Sequence, residues 1–135
     1  MVQYSVIVNA SMEKVWSHLI YKIEKPENFV PGVSNVIVSE KNNDFVTRQM
    51  TVTTDGNATT LTEKITFIPY KVRFLLLDHP KFDGYVDNDI KAINDQETEL
   101  TFTINWTDKA TQLEINNPEM VKNAVLKTKK YIEEN

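Results

Sequence analysis

Hydrophobic and polar residues alternate along much of the chain, which is the pattern of β-strands with one buried face. A short alternating segment at 4–8 predicts a first strand. Six further segments predict six more strands, at 33–39, 44–53, 59–67, 72–77, 85–93 and 99–106. The last segment alternates most regularly, and its apolar face consists of Leu100, Phe102, Ile104 and Trp106. The pattern therefore predicts a protein built mainly from one β-sheet.

Two other segments repeat apolar residues at helical spacing. The first ends near Glu24, because the residue before Pro26 avoids the α region. The second follows Asn117, a good N-cap, and runs from Pro118 to Glu133, about 24 Å at 1.5 Å per residue. The order of elements is thus strand, helix, six strands and long helix. It predicts an α+β fold, in which a curved antiparallel sheet of about seven strands wraps around the C-terminal helix.

Two charged residues lie on the inward faces of neighbouring predicted strands. Asp55-Gly56 is a strong signal for a two-residue hairpin turn, and counting outward from it places Arg48 directly opposite Glu63. Because a buried charge pair is costly, we interpret this pair as the polar patch of a ligand cavity. The alternatives are a structural cross-strand pair that fixes the register, or a register shifted by one residue that would place one of the two outside.

A third polar residue, Asn88, shares the apolar face of its strand with Val86 and Ile90. Its amide needs hydrogen-bond partners there, and a ligand, water, Arg48 or the backbone could supply them. The apolar wall is expected to consist of Phe74, Phe102, Ile104 and Trp106, with ordinary core packing as the alternative. The predicted ligand-binding residues are therefore Arg48, Glu63, Asn88, Phe74, Phe102 and Trp106.

Composition narrows the function classes. The 135 residues include 41% hydrophobic and 25% charged residues, which is typical of one globular domain spanning 1–135. A net charge of -4 without a basic block argues against nucleic-acid binding. The absence of cysteine excludes disulfides, thiolate metal sites and cysteine nucleophiles. No signal peptide and no apolar stretch of ~20 residues is present, so we expect a cytoplasmic protein without integral membrane association.

Histidines and acidic residues predict no metal site. His18 and His79 lack the spacing of metal ligands and are expected to be exposed. Asp83, Asp87 and Asp89 lack the glycine and the terminal glutamate of a calcium loop, and a solvated sheet face is expected for them. We therefore predict no metal and no cofactor, and the sequence assigns neither a catalytic residue nor an oligomeric state.

The order of elements resembles the helix-grip fold of the START/SRPBCC superfamily over essentially the whole chain. Short sequence words make the chain similar to the AtaL-like family within it. These words are Val15-Trp16, 22–26 (Lys-Ile-Glu-Lys-Pro), Phe29-Val30-Pro31, Thr47-Arg48, Thr62-Glu63, 87–90 (Asp-Asn-Asp-Ile) and 100–106 (Leu-Thr-Phe-Thr-Ile-Asn-Trp). Ile104 departs from the family pattern, which prefers phenylalanine there. The resemblance implies a cavity between sheet and long helix, which superfamily members use for lipids, sterols and polyketide-like molecules; some members are cyclases or dehydratases.

We therefore expect the protein to bind a small hydrophobic or aromatic molecule whose polar end is oriented by Arg48, Glu63 and Asn88. The alternative is an enzyme of the polyketide cyclase/aromatase or dehydratase kind, with Glu63 as general base. A neighbouring arginine stabilises the carboxylate and weakens it as a base, which ranks this alternative second. A third alternative is an interaction module with a filled core that regulates another protein; an exposed apolar patch would favour it, and the sequence shows no obvious one.

Overall fold

The computed structural model describes all 135 residues. Its strands are β1 (Val2–Val8), β2 (Val33–Lys41), β3 (Val46–Thr54), β4 (Asn57–Ile68), β5 (Lys71–Leu76), β6 (Phe82–Asn94) and β7 (Glu97–Asp108). Its helices are α1 (Met12–Glu24) and α2 (Pro118–Glu134), and a 3₁₀ turn (Pro26–Asn28) follows α1. The predicted α+β class, a curved antiparallel sheet with a long C-terminal helix, is confirmed.

All seven strands form one antiparallel sheet in the order β1-β7-β6-β5-β4-β3-β2. Strands β1 and β2 are the two edges, so α1 and the 3₁₀ turn carry the chain from one edge to the other. Helix α2 packs mainly against β1 and β7, whereas α1 packs against β6 and β7. The sheet half that contains β3 and β4 is therefore less completely covered by α2, and this leaves room for a pocket.

Both helices begin and end where local chemistry favours it. Ser11 caps α1 by accepting a hydrogen bond from the backbone N–H of Lys14, and Asn117 caps α2 by accepting one from Met120. Helix α1 ends just before Pro26. The buried stripe of α2 consists of Val121, Val125, Thr128 and Ile132. Neither helix combines the length and apolar character that crossing a membrane requires.

The β3–β4 hairpin has the predicted register. Asp55 and Gly56 adopt positive φ angles of 52° and 80°, as a two-residue turn that matches the twist of the strands requires. Thr54 pairs with Asn57, and Arg48 pairs with Glu63. The predicted register is therefore confirmed, and both charged residues face the interior with only 2% and 3% of their surface exposed.

The acidic segment of β6 differs from the prediction. Asp87 is buried rather than solvated, because β5 places Arg73 directly opposite it. Arg73 donates hydrogen bonds of 2.8 and 2.9 Å to the two carboxylate oxygens, and the Lys71 amine lies 3.5 Å from one of them. The prediction of a solvated carboxylate is therefore wrong at Asp87.

The prediction of exposed histidines is wrong for His79, which is 5% exposed. Its Nδ1 accepts hydrogen bonds from the backbone N–H groups of Lys81 and Phe82, at 3.0 and 3.1 Å. Its ring stacks on Phe82, with centroids 5.2 Å apart. The loop between β5 and β6 thus folds its histidine inward. His18 is half-buried, and its Nδ1 lies 2.8 Å from the carbonyl oxygen of Lys14.

Candidate ligand-binding site

A pocket of about 650 Å³ lies between the sheet and the N-terminal half of α2. Its volume is within the usual range of small-molecule sites. Eleven of its 21 lining residues are hydrophobic. Helix α2 contributes Met120, Val121 and Ala124, and the sheet contributes Met50, Val52, Leu61, Phe74, Val86, Ile104 and Trp106. The rim consists of exposed residues, among them Pro31, Gly32, Thr54 and Asp55.

Arg48 lines the pocket from β3 and is held by the protein on two sides. Its Nη2 donates a 2.7 Å hydrogen bond to Glu63 Oε1. Its Nη1 donates to the backbone carbonyl of Ile23 at 2.8 Å and lies 3.4 Å from that of Lys22. The guanidinium therefore also binds carbonyls at the C-terminal end of α1, where a cation is favourable. The Arg48–Glu63 pair thus has a structural role, and its arginine also forms part of the pocket wall.

Lys22 is a buried lysine in the pocket lining, and the sequence analysis did not predict it as a site residue. It is 4% exposed, and its Nζ donates a 2.6 Å hydrogen bond to Asn88 Oδ1. The amine lies over the faces of Phe102 and Phe74, at 4.2 and 5.1 Å from the ring centroids. The pKa of Lys22 is lowered from 10.5 to about 7, chiefly by burial and then by the charge of Arg48, while the charge of Glu63 opposes the shift.

The sequence did carry a signal for Lys22. It lies seven residues after Val15 and three after Leu19, so helical periodicity puts it on the buried face of α1. A charged residue on that face is the same kind of exception that identified Arg48 and Glu63 on the strands. The inner end of the pocket therefore contains one more titratable, hydrogen-bond-donating group than the sequence analysis assigned.

Three buried N–H donors at or next to the pocket have no hydrogen-bond partner in the protein. They are Arg48 Nε, Asn88 Nδ2 and Trp106 Nε1. An unpaired buried donor costs about 1–3 kcal/mol, so such groups normally find an acceptor. All three are donors, and the site therefore complements a molecule that presents oxygen acceptors.

The six predicted ligand-binding residues divide into two groups. Arg48, Phe74 and Trp106 line the pocket. Glu63, Asn88 and Phe102 lie directly behind the lining, where Glu63 binds Arg48 and the other two contact Lys22. The structure thus brings the predicted residues together in one region, and their role in binding a ligand stays a prediction. No cluster of three or more metal-ligating side chains is present.

The sheet, its two helices and the pocket between them define a protein of the helix-grip fold. Residues 3–134 match the family described as acetylaranotin biosynthesis cluster protein L, or AtaL, and the chain belongs to that family. The resemblance inferred from the sequence is therefore confirmed. No curated protein matches the sequence.

Solved structures of known proteins share the fold at low sequence identity. The ZhuI aromatase/cyclase from Streptomyces sp. R1128 is 17% identical with a TM-score of 0.73, over 98% of this chain and 88% of that one. A START superfamily protein from Mycobacterium smegmatis is 17% identical with a TM-score of 0.72, over 98% and 94%. Major latex-like protein 151 from Panax ginseng is 15% identical with a TM-score of 0.70, over 99% and 97%. Similarity at this level shows the fold alone.

Proposed function

We propose that the protein binds a small hydrophobic or aromatic molecule in the pocket between the sheet and α2, with an oxygen-bearing end directed toward Arg48 and Lys22. The observation that carries this proposal is the distribution of polarity in the pocket. Its walls are largely apolar, whereas two buried hydrogen-bond donors, the Arg48 guanidinium and the Lys22 amine, lie at its inner end. A ligand with an apolar body and an oxygen-bearing end would complement both the apolar walls and the polar inner end.

Apolar burial supplies the affinity in this proposal, at roughly 25 cal/mol per Å² of surface removed from water. The unpaired donors supply orientation, because a carboxylate, phenolate or carbonyl oxygen can accept from Arg48 Nε or Trp106 Nε1. The comparisons are consistent with a small organic ligand. The family description refers to a biosynthesis cluster, and one protein of similar fold is an aromatase/cyclase.

A fluorescence titration with anilinonaphthalene sulfonate tests the proposal, because this probe combines aromatic rings with an anionic oxygen group. The chain has two tryptophans, and Trp106 lines the pocket whereas Trp16 does not. In a Trp16→Phe background, quenching of the remaining tryptophan therefore reports occupation of the pocket. We expect saturable quenching with one probe molecule bound per chain.

Two substitutions on the same strand provide the matched comparison. Val52 lines the pocket, and its neighbour Thr51 lies on the opposite face of β3. Val52→Phe should fill part of the pocket and weaken probe binding about tenfold or more, whereas Thr51→Phe should leave it unchanged. Equal affinities for the two variants would place the probe elsewhere and overturn the proposal. Native mass spectrometry of the purified protein would identify any ligand that is retained.

A second candidate function is an enzyme of the polyketide cyclase/aromatase or dehydratase kind, which would use the same pocket. A buried carboxylate, Glu63, next to the pocket is the observation that favours it. Glu63 nevertheless reaches Arg48 rather than the pocket surface, which leaves it poorly placed as a base. A Glu63→Gln variant that binds the probe normally but no longer converts a poly-β-ketone thioester would support the enzyme. Unchanged conversion would exclude Glu63 as the base.

A further inference from the structure

The amine of Lys22 is placed where only a molecule inside the pocket can reach it. The side chain is 4% exposed, and it is part of the pocket lining. Its hydrogen bond to Asn88 Oδ1 holds the amine in one position, between the faces of Phe74 and Phe102. It makes no salt bridge with a carboxylate. A lysine held in this way differs from the surface lysines that only carry charge.

The surroundings of this amine favour its neutral, nucleophilic form. The charged groups that face it are Arg48 from β3 and Glu63 from β4. These two bind each other at 2.7 Å, which leaves the amine without a counterion of its own. Burial and the nearby guanidinium bring the pKa of Lys22 to about 7. Desolvation and a neighbouring cation are the features that activate lysine nucleophiles.

We propose that Lys22 captures aldehydes or ketones in the pocket as a reversible imine, which makes carbonyl compounds with an aromatic or apolar body the ligand class of this protein. This inference rests on the proposed function, because the carbonyl compound must enter the same pocket. It goes beyond the proposed function because it adds a covalent step at Lys22, whose amine there only faces the oxygen-bearing end of the ligand.

The step balances without an oxidant or a reductant. The Nζ lone pair forms a bond to the carbonyl carbon, the π electrons move to oxygen, and a proton passes from nitrogen to that oxygen. The resulting carbinolamine loses one water molecule as the C=N bond forms. Arg48 Nε, a lining donor without a protein partner, is suited to stabilise the oxygen while it carries negative charge.

Reductive trapping tests the inference on the wild-type protein. Incubation with naphthaldehyde and sodium cyanoborohydride at neutral pH converts an imine into a stable secondary amine, which intact mass spectrometry counts and peptide mapping locates. We expect one adduct per chain, on Lys22, formed at least about tenfold faster than on any other lysine, because ordinary lysines with a pKa near 10.4 are almost fully protonated there. The N-terminal amine is resolved as a separate peptide.

Variants separate covalent capture from simple binding. Lys22→Arg keeps a cation but cannot form an imine, and Lys22→Met keeps an unbranched apolar chain; both should lose the adduct. Lys127 is another inward-directed lysine, whose Nζ donates a hydrogen bond to the backbone carbonyl of Glu27. The control variant Lys127→Arg should therefore still form the adduct on Lys22. Labelling spread over surface lysines, or unchanged in Lys22→Met, would overturn the inference. If Lys22 stays unlabelled while anilinonaphthalene sulfonate still binds in the pocket, the covalent step fails and the proposed function stands.

Discussion

Replacing Lys22 with methionine should change how stability depends on pH. Methionine is similar in length and lacks the amine, so the substitution removes the buried titratable group while it retains contact with Phe74 and Phe102. The substitution also removes the hydrogen bond to Asn88, which lowers the overall stability, and methionine itself does not titrate. The slope of stability against pH therefore isolates the buried amine.

The expected slope follows from the lowered pKa of Lys22, which is about 7 in the folded protein against 10.5 for an ordinary lysine. Between these values the unfolded chain binds more protons than the folded one, so the free energy of unfolding rises with pH. Each pH unit in the middle of this window corresponds to about 1.4 kcal/mol. From pH 7 to pH 9 the wild-type protein should gain about 2 kcal/mol from this one group.

Urea unfolding at several pH values, followed by tryptophan fluorescence, measures these free energies. The curve for Lys22→Met should be flatter than the wild-type curve by about 2 kcal/mol between pH 7 and pH 9. Lys127→Met is the control, since it removes a different lysine and leaves Lys22 in place. Parallel curves for the wild type and Lys22→Met would refute the reasoning, because they would show that the Lys22 amine has the same proton affinity in both states.

Two further predictions concern stability. Arg48→Met should lower the free energy of unfolding by about 3–5 kcal/mol, because it leaves Glu63 buried without its partner. The double variant Arg48→Met/Glu63→Leu should recover part of this loss, and urea unfolding that showed strictly additive losses for the two substitutions would contradict the prediction. Gly84→Ala should lower stability by at least about 1 kcal/mol more than Gly56→Ala, because a Cβ at Gly84 would lie 1.9 Å from the Asn105 carbonyl oxygen whereas one at Gly56 meets nothing within 4 Å. Equal decreases in the melting temperature of Gly84→Ala and Gly56→Ala would contradict this prediction.

The sequence predicted most accurately those features that depend on local chemistry. The Asp55-Gly56 turn fixes its own geometry, so the register of β3 against β4 could be counted directly. Pro26 and the Asn117-Pro118 pair likewise mark helix boundaries through backbone restrictions that act within a few residues. In each case the residues that determine the structure are adjacent in the chain.

Errors occurred where the outcome depends on residues far apart or on a longer connection. Five residues, 77–81, separate β5 from β6, so no tight turn fixed the register that sets Arg73 opposite Asp87. The same connection hides His79 by folding onto Phe82. Because this connection carries no sequence signal that fixes its conformation, the burial of Asp87 and of His79 could not be predicted.

The pocket volume could not be predicted either, because it depends on where α2 lies over the curved sheet. Phe74 and Trp106 reach the pocket surface, whereas Phe102 lies behind it under the amine of Lys22. The residue types alone do not distinguish these positions. The alternation pattern gives the face of the sheet on which a side chain lies, and the packing of α2 determines whether that side chain lines a space or fills it.

The β3–β4 hairpin connects the stability of the fold to the chemistry of the pocket. Its turn residue Asp55 lies at the rim, and the inward face of β3 continues from there to Arg48 at the inner end. A one-residue change in the turn would move Glu63 to the outer face and set Arg48 opposite Thr62 or Lys64. The guanidinium would then lose its carboxylate and stand beside the Lys22 amine with its charge uncompensated. The same two-residue turn therefore determines both the strand register and the charge balance at the inner end of the pocket.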